Sequence, residues 1–283
     1  MRHVHRGADG AVLHSDVLGR SGGPPLLVLA GGAGAHPRYL GDLAGLGERY
    51  RLVVAHLRGV GRSAGVPLTS RWDQVDDLDR LRESLGLDRC AVVAHSAGTR
   101  LAIGFAARFP DRPAALVLVT PPAEYLVDVP SDVPALLAAR AGEPAIAAAV
   151  EALGAGPELT GDDAFSAWRL RTAPLGYARW DATTQAHARG MHYSLAAARA
   201  YMAGEAPADL RRRLGTVTAP TLVVAGARDV SAGVAPVLAV AGLFPRGGGA
   251  VVEGSGHFPW VESPAAFRAV VDPFLAGAVR PPA

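Results

Sequence analysis

The sequence contains a serine, an aspartate and a histidine, Ser96, Asp229 and His257, that could together form a catalytic triad. In such a triad the serine attacks a carbonyl group and the other two residues activate the serine. A serine hydroxyl is a weak nucleophile at its ordinary pKa, and it needs a base within hydrogen-bond reach. We predict that His257 is this base and that Asp229 orients its imidazole and stabilises its positive charge. The predicted chemistry is attack of Ser96 on an ester or amide carbonyl, followed by hydrolysis of the acyl-enzyme.

Ser96 lies between a strand pattern and a helix pattern. Residues 91–94 are apolar or small, and apolar residues recur at helical spacing over residues 97–106. A strand, an abrupt turn and a helix would hold the serine in strained backbone, with its oxygen clear of the sheet edge. The local pattern is A-x-S-x-G, in which Ala94 replaces the usual glycine. The alternative interpretation is a serine that caps the helix and has no further role.

Other residues could supply the base or the acid, since the chain contains nine histidines. His95 adjoins Ser96, but neighbouring side chains on such a turn point apart, so we interpret His95 as structural. Glu124 follows the sixth predicted strand and is the alternative to Asp229 as the acid. No histidine pair has the spacing of metal ligands with a carboxylate nearby, and we predict no metal site.

The glycine-rich segment Gly31–Gly34 follows a continuous apolar run, Leu26–Ala30. Glycines allow the backbone to approach a ligand closely and to offer N–H groups to an oxyanion. We predict an oxyanion hole formed by the N–H groups of Gly32 and Ala97. A phosphate-binding turn is the competing interpretation, but the dinucleotide and Walker glycine patterns are both absent.

The composition restricts the partners and the chemistry. The formal net charge is +2 at pH 7, so we predict neither a nucleic-acid nor a membrane partner. The absence of lysine excludes lysine Schiff bases, Walker-type lysines and Ser–Lys dyads. A single cysteine, Cys90, excludes an internal disulfide. We predict no cofactor, and a small molecule or short peptide as the substrate. Because no signal-peptide pattern or membrane span is evident, we predict a cytoplasmic location. The oligomeric state stays open.

The elements that would position these residues alternate between strands and helices. An antiparallel hairpin at residues 4–18 and a helix at residues 37–49 are expected, and the alternation predicts a mostly parallel sheet with helices on both faces. It stops at residues 121–215, which are rich in proline, alanine and aromatic residues. We predict a core formed by residues 1–120 and 216–283, and a helical insertion, residues 121–215, that covers the site. From it, Trp168, Trp180 and Tyr193 are predicted to contact substrate.

Five motifs stand in the order of the predicted site, namely GGAGAHPRYL, HLRGVGRS, AHSAG at the elbow, GARD at the acid and GHFPWVESP around the base. The Ser, Asp, His order is also that of hydrolases with a nucleophile elbow. In these motifs the chain resembles the α/β-hydrolase family over nearly its whole length, and within it the prolyl aminopeptidase (proline iminopeptidase) branch. The resemblance implies an α/β-hydrolase fold with a helical cap insertion, and a serine hydrolase that removes an N-terminal aminoacyl group.

Departures from the branch affect the expected substrate. The branch binds the substrate's amino group with glutamates of the cap, whereas the corresponding segment here, residues 188–193, contains none. Glu205 is the nearest acidic residue and is predicted to substitute. The alternatives are an esterase, lactonase or thioesterase of specialised metabolism, and a non-hydrolytic binding protein or rearrangement enzyme on the same fold.

Overall fold

An eight-stranded sheet forms the centre of the protein. The structure, a computed structural model, describes residues 1–157 and 159–279. The strands are β1 (Arg2–Arg6), β2 (Val12–Gly19), β3 (Pro25–Leu29), β4 (Arg51–Ala55), β5 (Cys90–His95), β6 (Pro113–Val119), β7 (Thr221–Gly226) and β8 (Gly247–Val252).

The strand order across the sheet is β1-β2-β4-β3-β5-β6-β7-β8. The first two strands form the predicted antiparallel hairpin, and β2 also pairs with β4 in the antiparallel sense. The other six strands, β4, β3, β5, β6, β7 and β8 in sheet order, run parallel to one another. This confirms the predicted mostly parallel α/β sheet. The chain runs from β3 to β4 on one side and returns to β5 on the other, so the strand order reverses at β3. In open parallel sheets, ligands bind at the carboxyl ends of the strands beside such a reversal.

Helices cover both faces of the sheet. They are α1 (Gln74–Ser84), α2 (Ala97–Arg108), α3 (Val133–Ala138), α4 (Pro144–Ala155), α5 (Asp162–Thr172), α6 (Ala182–Arg189), α7 (Leu195–Met202), α8 (Leu210–Leu214), α9 (Ala235–Ala239), α10 (Pro259–Glu262) and α11 (Pro264–Ala278). Helices α3 to α8 lie between β6 and β7 and form the helical insertion. No described helix is both long and apolar enough to cross a membrane.

Two apolar clusters form the core, one on each face of the sheet. Successive side chains of a strand point to opposite faces. In β3, Leu27 and Leu29 pack with residues of α1 and α2. Leu26 and Val28 pack on the other face with residues of α11. All four side chains are essentially inaccessible to solvent. Burial on both faces explains why β3 is continuously apolar, and it leaves the strand ends to form the site.

The helix predicted at residues 37–49 is wrong. Two short 3-10 turns, Pro37–Leu40 and Leu46–Glu48, stand there instead. Between them, Leu43 and Ala44 have positive φ angles of 54° and 60°, a backbone region that a right-handed helix does not contain. The apolar spacing predicted a helix, but the chain turns at these two residues, which pack in the apolar cluster on one face of the sheet.

Candidate active site

Ser96 occupies the sharp turn between β5 and α2. Its φ of 49° and ψ of −124° are strained values for a residue with a side chain. Two residues later, a Cβ atom on Gly98 would lie 2.4 Å from the carbonyl oxygen of Ala30. The helix can therefore start this close to β3 only because position 98 is glycine. The preceding small residue, Ala94, is fully buried.

Ser96, His257 and Asp229 form one hydrogen-bonded chain, although they are far apart in the sequence. The Oγ atom of Ser96 lies 2.7 Å from Nε2 of His257. The other ring nitrogen, Nδ1, lies 2.7 Å from Oδ2 of Asp229. Asp229 is completely inaccessible to solvent. The structure thus brings together the three predicted residues, which follow the carboxyl ends of β5, β7 and β8.

Backbone amides hold the second oxygen of the Asp229 carboxylate. Oδ1 accepts hydrogen bonds from the N–H groups of Ser231 at 2.8 Å and Ala232 at 3.1 Å. Because Oδ1 is occupied in this way, Oδ2 is directed at the imidazole. A carboxylate can only accept, so Nδ1 of a neutral His257 carries the hydrogen, and its Nε2 is free to accept the Ser96 proton.

The glycine loop passes directly over Ser96. A Cβ atom on Gly31 would lie 2.8 Å from Cβ of Ser96, and Gly32 has a φ of +74°. The Gly31 N–H donates to the hydroxyl of Tyr39 at 2.6 Å. By contrast, the N–H groups of Gly32 and Ala97 donate to no acceptor among the described residues. Unsatisfied amides in the glycine loop and directly after Ser96 have the chemistry of an oxyanion hole, and their assignment to that role stays a prediction.

His95 connects the glycine loop to the loop that carries His257. Its Nε2–H donates to the carbonyl oxygen of His257 at 2.9 Å. Its Nδ1 therefore accepts from the hydroxyl of Tyr39, 2.8 Å away. Burial, with a smaller effect of the nearby His257, holds the pKa of His95 well below its ordinary value. The ring is neutral, and a chain of directed hydrogen bonds runs from Gly31 through Tyr39 and His95 to the backbone of His257.

Glu262 fixes the same loop from the opposite side. Its Oε2 accepts from the N–H of Gly256 at 2.7 Å, and its Oε1 accepts from the N–H of Ala178 at 2.7 Å. Burial raises the pKa of this carboxyl group. Glu262 thereby joins the residue before His257 to the helical insertion.

A cavity of about 560 Å³ opens beside Ser96 and His257. The helical insertion supplies part of its wall, including Arg169, Tyr177 and Tyr193. This volume is in the range that holds a small organic ligand. The insertion therefore forms part of the cavity wall beside Ser96 and His257, and its predicted role as a cover over bound substrate stays a prediction.

The structure separates the residues predicted to bind substrate. Tyr193 lines the cavity, whereas Trp168, Trp180 and Glu205 do not. The Nε1–H group of Trp168 donates to the carbonyl oxygen of Ala152 at 2.9 Å and so joins α5 to α4. Trp180 packs in the apolar core on one face of the sheet, and Glu205 is exposed. Trp168, Trp180 and Glu205 therefore do not line the cavity, contrary to their predicted placement in the site.

Glu124 lines the cavity, but its carboxylate forms an ion pair with Arg100. It makes no contact with His257, whose Nδ1 is occupied by Asp229. Glu124 is therefore not positioned as the acid of the triad. No three His, Cys, Asp or Glu side chains in the described part of the chain are grouped so that they could hold a metal ion.

Three residues of the site were not found from the sequence, namely Tyr39, Arg169 and Glu262. Tyr39 and Glu262 stand inside the first and last of the five motifs. A tyrosine or glutamate in a loop motif is a signal that could have directed attention to them. Arg169 has no such signal, because it is one of two arginines near the end of α5 and stands outside the five motifs.

The sequence is similar to curated proline iminopeptidases over a part of its length. It is 34% identical over 113 residues to the proline iminopeptidase of Xylella fastidiosa (strain 9a5c), an alignment that covers 38% of this chain and 35% of that protein. The matched part thus spans about a third of the length of that relative.

Solved structures of esterases share the fold over almost the whole chain. A putative aryl esterase from Burkholderia cenocepacia has a TM-score of 0.71 with 22% identity, over 98% of this chain and 99% of that one. The carboxylesterase CesB from Bacillus subtilis has a TM-score of 0.69 with 17% identity, over 98% and 92%. At these identities the likeness establishes the fold alone.

The family model described as "alpha/beta hydrolase fold" matches residues 24–264. This range includes Ser96, Asp229 and His257, and it extends from β3 into the first residue of α11. The motif resemblance, the sheet topology and the partial similarity to proline iminopeptidases agree with it. The chain belongs to the α/β-hydrolase family.

Proposed function

We propose that the protein is a serine hydrolase that cleaves an ester or amide of a small molecule through an acyl-enzyme on Ser96. The observation that carries the proposal is the hydrogen-bonded chain Ser96–His257–Asp229, with 2.7 Å at each contact. A protein that only bound its ligand would not need a base opposite a serine in strained backbone. Membership of a hydrolase family supports the same conclusion.

The proposed reaction has two halves. Oγ of Ser96 attacks the carbonyl carbon while Nε2 of His257 takes the hydroxyl proton, and the N–H groups of Gly32 and Ala97 bind the oxyanion. The imidazolium, stabilised by Asp229, gives its proton to the leaving alcohol or amine. Water then attacks the acyl-enzyme with His257 as the base, and Ser96 recovers its proton as the acid product leaves.

Removal of an N-terminal aminoacyl group is the first substrate class to test. The partial similarity to proline iminopeptidases supports it. A substrate with a free amine needs a carboxylate in the cavity to bind its ammonium group. Glu205 is exposed and does not line the cavity, whereas Glu124 does, so Glu124 takes the amine-binding role predicted for Glu205.

Hydrolysis of simple esters is the second candidate. The Glu124 carboxylate already pairs with Arg100, which weakens its attraction for a substrate ammonium. An ester without an amino group does not depend on that carboxylate.

The test compares prolyl 4-nitroanilide with 4-nitrophenyl butyrate, together with covalent labelling by a fluorophosphonate probe. The variants are Ser96→Ala and, as a matched control, Ser131→Ala. Ser131 lines the same cavity, but its hydroxyl accepts from the N–H of Val133 at 3.3 Å and faces no base. We expect labelling and turnover in the wild type and in Ser131→Ala, and neither in Ser96→Ala.

The outcomes separate the alternatives. Turnover of the anilide indicates an aminopeptidase, and turnover of the ester alone indicates an esterase. Absence of both turnover and label in the wild type would refute the serine-hydrolase proposal and favour a binding protein or a rearrangement enzyme.

A further inference from the structure

The cavity beside Ser96 contains a positively charged side chain that the proposed reaction does not use. Arg169 of α5 lines this cavity. Among the described residues, no carboxylate forms an ion pair with its guanidinium, and its buried Nε has no hydrogen-bond partner. Most buried arginines in this protein are paired. Arg58 contacts Asp77 at 2.6 Å, and Arg140 contacts Glu143 at 2.8 Å.

Aromatic rings hold the guanidinium of Arg169 in place. Its central carbon lies 5.1 Å from the ring centroid of Tyr193 and 5.9 Å from that of Trp168. Stacking on an aromatic face leaves the N–H groups at the edge of the plane free to bind a carboxylate through two parallel hydrogen bonds. Trp168 itself is fixed by its hydrogen bond to Ala152. The cation is thus oriented before any ligand binds.

Tyr193 connects this cation to the reacting centre. The residue pairs with Ala35 in an isolated β-bridge next to the glycine loop. A Cβ atom on Gly32 would lie 2.9 Å from Cε1 of the Tyr193 ring. The ring therefore touches the loop beside Ser96 and carries Arg169 on its face, so one small molecule could contact both Ser96 and Arg169.

The other charged groups of the cavity wall leave this positive charge uncompensated. Glu124 is paired with Arg100, and Arg100 also stacks on the ring of Tyr125 at 4.0 Å. The other titratable groups on the wall are the phenols Tyr177 and Tyr193, and His257, which is hydrogen-bonded to Asp229. The wall thus offers an anion a free partner at Arg169.

We propose that Arg169 binds a carboxylate of the substrate, so that the compounds hydrolysed at Ser96 carry this anionic group besides the scissile ester or amide. The proposal rests on the proposed function, and it makes Arg169 a determinant of specificity. A guanidinium held in this way favours a planar carboxylate, which it can bind in bidentate fashion.

The first test compares acids with their methyl esters as substrates. The pairs are 4-nitrophenyl hydrogen adipate, 4-butyryloxybenzoic acid and L-prolyl-4-aminobenzoic acid, each against the methyl ester of its carboxyl group, which removes the negative charge. They place the carboxylate in the acyl group, in an alcohol leaving group and in an amine leaving group. The variants are Arg169→Gln and the matched control Arg171→Gln, which changes an exposed arginine of the same helix outside the cavity.

In at least one pair, the wild type should have the higher kcat/KM for the acid. For that acid, Arg169→Gln should lower kcat/KM about 10- to 100-fold, as expected for loss of a charge-assisted hydrogen bond. The kcat/KM for the methyl ester should change less than about 3-fold, which corresponds to about 0.7 kcal/mol. Arg171→Gln should behave as the wild type. Equal losses for acid and ester, or no loss for any acid, would overturn the proposal.

A second test does not depend on turnover. Binding of monomethyl adipate and of 4-aminobenzoate to Ser96→Ala is measured by calorimetry, with and without each arginine substitution. At least one ligand should bind about tenfold more weakly when Arg169 is replaced, and not when Arg171 is replaced. No binding at millimolar ligand, or equal binding in both variants, would contradict the assignment of Arg169. If the wild type hydrolyses none of the substrates, the proposed function fails, and this binding measurement still decides the role of Arg169.

Discussion

Replacing Asp229 by asparagine should inactivate the protein by reversing one hydrogen bond. Oδ1 of Asp229 accepts from two backbone N–H groups, at 2.8 and 3.1 Å. An amide NH₂ group cannot accept, so the asparagine oxygen must take the Oδ1 position. Its NH₂ group then stands where Oδ2 stands, 2.7 Å from Nδ1 of His257, and donates to that nitrogen. His257 is forced to carry its hydrogen on Nε2, facing Ser96, and it can no longer accept the serine proton.

The expected loss is large, and the fold should remain. An amide in place of the triad carboxylate lowers kcat about 10⁴-fold, which corresponds to about 5.4 kcal/mol of transition-state stabilisation. Both backbone amides keep their acceptor, and the side-chain volume is almost unchanged. We therefore expect the melting temperature of Asp229→Asn to stay within about 4 °C of the wild type, the shift that about 1 kcal/mol produces in a chain of this size.

The assay is the rate at which a fluorophosphonate probe labels Ser96, because this rate needs no knowledge of the natural substrate. Ester turnover is measured beside it. Asp229→Ala serves as the comparison, since it leaves the two backbone amides without an acceptor and should be less stable than Asp229→Asn. A folded Asp229→Asn protein that labels within about tenfold of the wild-type rate would refute the tautomer argument.

Three further predictions concern stability and the elbow. Tyr39→Phe removes the acceptor of the Gly31 N–H and the hydrogen-bond donor to the buried imidazole of His95. Urea denaturation should therefore show a loss of about 2–4 kcal/mol in the free energy of unfolding, and kcat should also fall. An unchanged midpoint of urea unfolding would contradict this. Gly98→Ala forces a Cβ atom to within 2.4 Å of a carbonyl oxygen and should abolish probe labelling, whereas Gly142→Ala, with no atom within 4 Å, should label normally. Burial lowers the pKa of His5 to about 4, so the unfolded chain binds an extra proton between pH 4 and about 6.5. The free energy of unfolding should fall as the pH drops through this window, and less steeply in His5→Gln; equal slopes in urea titrations would exclude this role of His5.

Much of the fold could be predicted from the sequence because its signals are local. The apolar run Leu26–Ala30 is a strand buried on both faces, and its composition reflects that burial directly. The turn at Ser96 needs a small residue before it and glycine after it, and both requirements are met within five residues. The order of Ser96, Asp229 and His257 could also be predicted, because each residue follows a parallel strand. The carboxyl ends of parallel strands all lie on the same side of the sheet.

The connections between these loops could not be predicted, because they join residues that are far apart in the chain. Tyr39 reaches His95, and Glu262 reaches Ala178, only when the loops are already packed together. The turns at residues 37–48 show the same effect, since apolar spacing alone indicated a helix where the backbone instead turns at positive φ.

The wall of the cavity depended on the rotation of single helices. Successive residues of a helix point about 100° apart, so Trp168 joins α5 to α4 while Arg169, the next residue, faces the cavity. Aromatic content could indicate that the helical insertion covers the site, but not which side of each helix faces it. The sequence by itself therefore determined the catalytic candidates and the sheet that positions them. The tertiary structure decided which side chains line the cavity, because only packing sets the rotation of each helix about its axis.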